Sequence, residues 1–163
     1  MRQVRGRAWW VPAFFAAMIV IFGVGDALVG VAADPAITVT LSGLPLAAVQ
    51  AQDPIGYRLF DFAARSGGVN LALLGILLGV LVAVPYRAGQ PWAWRTLWVL
   101  PVWAAFVPVA YLVAGTAPGQ PPAPPMISGP IVAVLSGAAL LVDRRRFTRA
   151  AADRAPRSGS GRG

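Results

Sequence analysis

Of the 163 residues, 57% are hydrophobic and only 12% charged, a balance too apolar for a water-soluble fold of ordinary composition, so lipid is the solvent its outer surface suits. A net charge of +8 raises the question of nucleic acid, but the arginines gather in an N-terminal leader, one short loop and the tail. Membrane proteins keep basic residues in those places, and nucleic acid is set aside as a partner. Cys, His, Lys and Glu are all absent, which excludes disulfides, thiolate metal sites, imidazole bases and Schiff-base lysines. No cofactor, metal or catalytic set is expected, and the first expectation is a protein that is not an enzyme.

Arg2, Arg5 and Arg7 precede an apolar run from Ala8 to Ala33 interrupted only by Asp26. This is the first expected span, residues 9–32, with Trp9 and Trp10 as interfacial anchors. A cleaved signal peptide is the rival reading, because Val31-Ala32-Ala33 before Asp34 fits a small-residue cleavage pattern. The apolar run is about twice the usual h-region length, which favours the span.

Residues 34–68 form the longest polar interval and are read as an outer loop that opens with Asp34-Pro35 and a Thr-rich extended piece. Within it, Asp53-Pro54 reads as an N-cap followed by proline at the first helical position. Ile55, Leu59 and Phe62 then recur at i, i+4 and i+7, which predicts a short amphipathic helix in this loop. Its polar members Arg58, Asp61 and Arg65 are spaced to pair along the surface, at about 0.2 to 0.5 kcal/mol per exposed pair.

The second span is expected at residues 69–86 and ends in Pro85-Tyr86-Arg87-Ala88-Gly89-Gln90-Pro91, a positively charged turn. Trp92 and Trp94 beyond it suit an interface, where an apolar ring and an N–H donor are both satisfied. The third span, residues 95–115, carries Pro101 and Pro108, which remove backbone hydrogen bonds and kink a helix. Ala117 to Pro125 is nearly all Pro, Gly, Gln and Ala, an uncharged connector. The fourth span, residues 126–142, ends at Asp143-Arg144-Arg145-Arg146.

These spans define an all-α membrane protein, an antiparallel four-helix bundle over residues 1–143 with the short amphipathic helix on its outer face. Residues 144–163 form a basic tail with seven Arg against Asp153, expected to continue as helix to about Ala152 and to be disordered beyond. The positive-inside rule places both termini in the cytoplasm. Arg as the sole basic residue, with abundant Ala, Gly and Pro, suggests a GC-rich bacterial genome and hence a bacterial cytoplasmic membrane. Expected partners are the bilayer itself, anionic lipids at the tail, and a second copy or another membrane protein.

Asp26 is the ionisable residue inside a span, and such a carboxylate is by default a functional-site hypothesis. Counted from Trp10 at about 1.5 Å per residue, it lies roughly 24 Å across a core about 30 Å thick, in the outer third. The first reading is a structural hydrogen bond or ion pair with Arg58 or Arg65; the rival is a proton- or substrate-handling role. Asn70 lies at comparable depth as a candidate partner. Gly75 and Gly79 form a GxxxG, and Gly129, Ala133 and Gly137 repeat small residues every four positions, which allows close helix approach.

The Pro85-Tyr86-Arg87-Ala88-Gly89-Gln90-Pro91-Trp92-Ala93-Trp94 segment resembles small four-helix membrane proteins of GC-rich bacteria, in which an Arg-x-Gly-x-x-Trp-Ala-Trp turn joins spans two and three. Similar chains also carry an outer-loop Asp-Pro and a later Arg-x-Gly, here Asp53-Pro54 and Arg65-Ser66-Gly67. The chain is also loosely similar to DoxX-like four-helix proteins, from which no functional residue carries over. The resemblance implies the four-span topology. Function stays between a non-enzymatic accessory or scaffold protein and a small-solute or proton transporter or channel using Asp26.

Overall fold

The computed structural model describes residues 8–152; the basic leader and the tail beyond Ala152 lie outside them. Among the described residues there are seven α-helices and no strand: α1 Trp10–Val29, α2 Pro35–Ser42, α3 Leu46–Gln52, α4 Pro54–Leu81, α5 Pro91–Thr96, α6 Val99–Ala114 and α7 Pro124–Ala152. A 3₁₀ turn, Gly30–Ala33, extends α1, and a π turn, Val82–Tyr86, extends α4. Four stretches are long and apolar enough to cross a membrane: Trp10–Ala33, Pro54–Tyr86, Pro91–Ala114 and Pro124–Thr148.

The segment between the first two spans differs from the sequence reading. Asp53 caps α4, its Oδ1 accepting from Gly56 N–H at 2.8 Å with Pro54 in the first turn, but the helix does not end after Arg65. Residues 54–65 are not a separate amphipathic helix but the first turns of one helix that runs unbroken through Gly67 and Gly68 to Leu81. Each helical Gly costs about 1 kcal/mol relative to Ala, and packing offsets the cost at Gly68. A Cβ there would lie 2.7 Å from Gly23 O and 2.8 Å from the Asp26 carbonyl carbon, so the bare backbone lets α1 press against α4.

The Thr-rich piece after Asp34 is also helical, as α2, rather than extended. Tertiary bonding overrides the weak β preference of its Thr and Val residues. Thr40 Oγ1 lies 2.9 Å from Pro121 O and 3.0 Å from Ala36 O, and Thr40 O accepts from Ala117 N–H at 2.8 Å. The connector between α6 and α7 is thereby fastened across α2.

Helix α1 packs most extensively on α4, and α6 on α7. Contacts that advance along α1 retreat along α4: Ala16 and Val20 meet Gly75, Gly23 meets Ala72 and Gly68, and Gly30 meets Asp61. Of the small-residue pairs, Gly75 is at this crossing while Gly79 has open space beside it; Gly129 faces Ala104 and Pro108 of α6. Pro108 supplies no N–H to the Ala104 carbonyl one turn earlier, and a Cβ at Gly129 would sit 2.8 Å from that oxygen. Pro101 acts differently. Its missing N–H leaves Leu97 O to accept from Leu100 instead, at 3.1 Å, and the third apolar stretch breaks at Leu97 and Trp98 into α5 and α6.

The buried core is concentrated toward one end. Phe15, Ile19, Leu78, Val82, Tyr86, Leu97, Leu100, Leu140 and Phe147 form one cluster, drawn from the start of α1, the end of α4, the α5–α6 junction and the later part of α7. On their outward faces the long helices leave apolar side chains uncovered, with Leu28, Leu77 and Val113 at 73%, 67% and 82% exposure. Exposed large apolar side chains of this kind recur along all four long helices.

Candidate functional site: an acidic cleft opposite the packed end

The end of α1 is finished by a residue from another helix. The last four carbonyls of a helix lack intrahelical donors, and here all four are occupied. Gly30 N–H bonds to Asp26 O. Arg65 of α4 donates Nη1–H to Leu28 O at 2.6 Å and to Ala27 O at 3.4 Å, and Nη2–H to Val29 O at 3.1 Å. The cation therefore sits where the negative end of the helix dipole favours it.

Its Nε–H is held by Asp61 Oδ2 at 2.7 Å, while Asp61 Oδ1 accepts from Val31 N–H at 3.0 Å. Gly30 makes the turn at φ 72°, where a Cβ would lie 2.8 Å from Asp61 Cγ and 3.0 Å from Arg65 Nε. The Asp61–Arg65 spacing legible in the sequence is thus a real ion pair, and it clamps α1 to α4 as well as decorating a surface.

Beside this clamp lies a cleft of about 430 Å³, bounded by the end of α1 and its 3₁₀ turn, α2, the first half of α4 and the last turn of α6. Its walls are apolar, with Ile37, Leu41, Phe60 and Ala110, and its polar members are Asp26, Asp34 and Tyr111. Asp34 precedes Pro35 at the head of α2 in a non-helical conformation, φ −138° and ψ 81°, and its side chain makes no capping bond. The carboxylate is left over from the helix start. Asp26 makes no ion pair: among the described residues the one salt bridge joins Arg65 to Asp61.

The candidates from the sequence fall in different places. Asp26 is half-buried in the cleft wall, while Asn70 is exposed and outside the lining. Neither of the arginines expected to pair with it, Arg58 and Arg65, meets Asp26. Arg58 Nε–H donates to Pro54 O at 3.3 Å on its own helix, and Arg65 is spent on Asp61 and the end of α1. Trp10 and Trp92 are 60% and 53% exposed, as outward-facing anchors would be. Trp9 and Trp94 instead pack against the core, Trp9 beneath the Arg87 guanidinium at 4.8 Å and Trp94 donating Nε1–H to Leu140 O at 2.8 Å.

Sequence reasoning missed Asp34 and Tyr111, which reach the cleft from segments separated from Asp26 in the chain. Asp34 carried one signal, a carboxylate immediately before Pro35 at a helix start; Tyr111 carried none. It also missed a buried pair at the opposite end, where Tyr86 O–H donates to Asp143 Oδ2 at 2.8 Å. Tyr86 is fully buried and Asp143 nearly so, with the Phe147 ring tilted against the Tyr86 ring at 4.9 Å and Arg146 donating to Arg87 O at 2.6 Å. Both residues read only as the ends of spans, yet those ends belong to one face of the bundle.

No protein-family model, curated protein or solved structure matches the chain.

Proposed function

We propose that this chain is a multi-pass protein of the bacterial cytoplasmic membrane, an antiparallel four-helix bundle with both termini inside, serving as a non-enzymatic accessory or scaffold protein. The apolar flanks left uncovered along all four long helices support the membrane placement, because lipid satisfies them and water does not. Orientation rests on charge. Arg87, Arg95 and Arg144 to Arg146 lie toward the packed end, whereas the cleft end carries Asp26, Asp34, Asp53 and Asp61 against Arg58 and Arg65. The positive-inside rule makes the Arg-rich end cytoplasmic.

What supports the non-enzymatic reading is composition: without Cys, His, Lys or Glu the chain has no thiol, imidazole or amine side chain from which most activated nucleophiles and bases are built. Purified protein assayed against phospholipids and peptides tests it: no turnover should scale with the amount of protein, and turnover that does so defeats the reading. The bilayer, anionic lipid at the basic tail, and a second copy or another membrane protein are the proposed partners.

One observation favours transport of a small solute or protons as a second reading, namely that Asp26 borders open space rather than a protein partner. Asp26→Asn then abolishes flux in reconstituted vesicles; unaltered flux removes the carboxylate from any such mechanism.

A further inference from the structure

We propose that the cleft at the outer end is a binding site for an organic cation with a compact apolar body, its charge held between Asp26 and Asp34. The volume of about 430 Å³ falls within the range typical of small-molecule sites, which combine apolar walls with a few placed polar groups. Ile37, Leu41 and Phe60 supply such walls, and Asp26 and Asp34 are the charged residues among the lining side chains.

The sign of the ligand follows from what surrounds the carboxylates. Arg65, the nearby cation, is committed to Asp61 and to the Leu28 and Val29 carbonyls, so it does not neutralise the cleft. Anions are repelled, and a neutral apolar guest strips water from two carboxylates without replacing it. A hard divalent ion such as Ca²⁺ takes six to eight oxygen ligands, more than two carboxylates and one phenol provide. A quaternary ammonium or phosphonium centre needs no such shell. It gains the field of both carboxylates and the aromatic ring of Tyr111, a side chain to which cations are attracted, while its apolar substituents meet the walls.

The site goes beyond the scaffold reading and shares only Asp26 with the transport reading, and the experiment separates them. Full-length protein in uncharged detergent is dialysed to equilibrium against tetraphenylphosphonium and, separately, against its uncharged analogue triphenylphosphine oxide. The expected result is saturable binding of one phosphonium per chain, weakened about tenfold or more by Asp26→Asn or Asp34→Asn, consistent with loss of a charge partner. The oxide binds at least tenfold more weakly than the phosphonium and equally to all variants.

Asp34→Asn, at a helix start whose side chain makes no cap bond, tests the site even if Asp26→Asn fails to fold. Non-saturable uptake, equal binding of the oxide, or full phosphonium affinity in folded Asp34→Asn overturns the proposal. Saturable binding with phosphonium flux no faster than in protein-free vesicles keeps the site and counts against carriage of such cations; flux of another solute without phosphonium binding does the reverse.

Discussion

At the Arg-rich end, Tyr86, Trp94 and Arg146 each donate to a named acceptor within 2.8 Å and the side chains around them are buried. At the Asp-bearing end, Asp26, Asp34 and Tyr111 border a cavity. Both ends contain a carboxylate within reach of the packed helices, Asp143 at one and Asp26 at the other, so the presence of an acid does not by itself separate them. The difference lies in commitment: Asp143 is answered by a tyrosine hydroxyl inside the core, whereas the arginine near Asp26 is turned away to finish α1. A polar group that is satisfied and buried holds helices in place; one left facing open space is available to something else.

The largest effect should come from the glycines that set how closely α1 and α4 approach. Gly68→Ala places a Cβ against the Gly23 carbonyl and the Asp26 backbone. It should lower stability by about 1–3 kcal/mol, as overpacking does, read as a loss of thermal midpoint in detergent. Its neighbour provides the contrast: Gly67 has nothing within 4 Å of a Cβ. Gly67→Ala should therefore be neutral or stabilising by up to about 1 kcal/mol through helix propensity. If both behave alike, the close crossing is not what holds these helices.

At the packed end, Tyr86→Phe removes the donor to Asp143 and leaves a nearly buried carboxylate short of a partner. A cost of about 1–3 kcal/mol is expected, measured by the same melt, with no change in phosphonium binding at the other end. Thr40→Val, which removes the hydroxyl near Pro121 O while keeping the shape, should cost about 1 kcal/mol and loosen the connector over α2, visible as faster proteolysis between α6 and α7. Arg65→Gln should lower the thermal midpoint by less than Gly68→Ala, because the Arg65 side chain is 43% exposed and solvent substitutes for part of what it gives. Hydrogen exchange at Ala27 to Val31 should rise with it, since this is the helix end that Arg65 closes.

Four apolar runs were legible as four long helices because that signal is carried by composition over about 20 residues. Local chemistry was legible too, in the Asp53-Pro54 start of α4 and the break imposed by Pro101. The boundary at residues 68–69 misled, since the polar interval ends there while the helix does not, and the approach of α1 at Gly68 is visible only in the fold. Likewise the alternation of Thr with Ile and Val in residues 37–40 resembles a strand until Thr40 is seen bonded across to the connector.

For the cleft, Asp26 was conspicuous as a charge in an apolar run, but Asp34 and Tyr111 join it only through the fold, and no spacing rule relates residues 26, 34 and 111. The Asp61–Arg65 pair was visible at i, i+4. Its role was not, because the carbonyls it finishes belong to another helix.

The most direct test of the two-ended account exploits a chain without cysteine. Single cysteines introduced as Gln50→Cys in α3 and Ala88→Cys in the turn before α5, both at exposed positions, are labelled in spheroplasts with a membrane-impermeant maleimide. Labelling of Gln50→Cys in intact spheroplasts, and of Ala88→Cys only after permeabilisation, is the predicted result: the acidic cleft then faces out and the arginine end faces in. The reverse pattern, or equal labelling of both positions without permeabilisation, contradicts it.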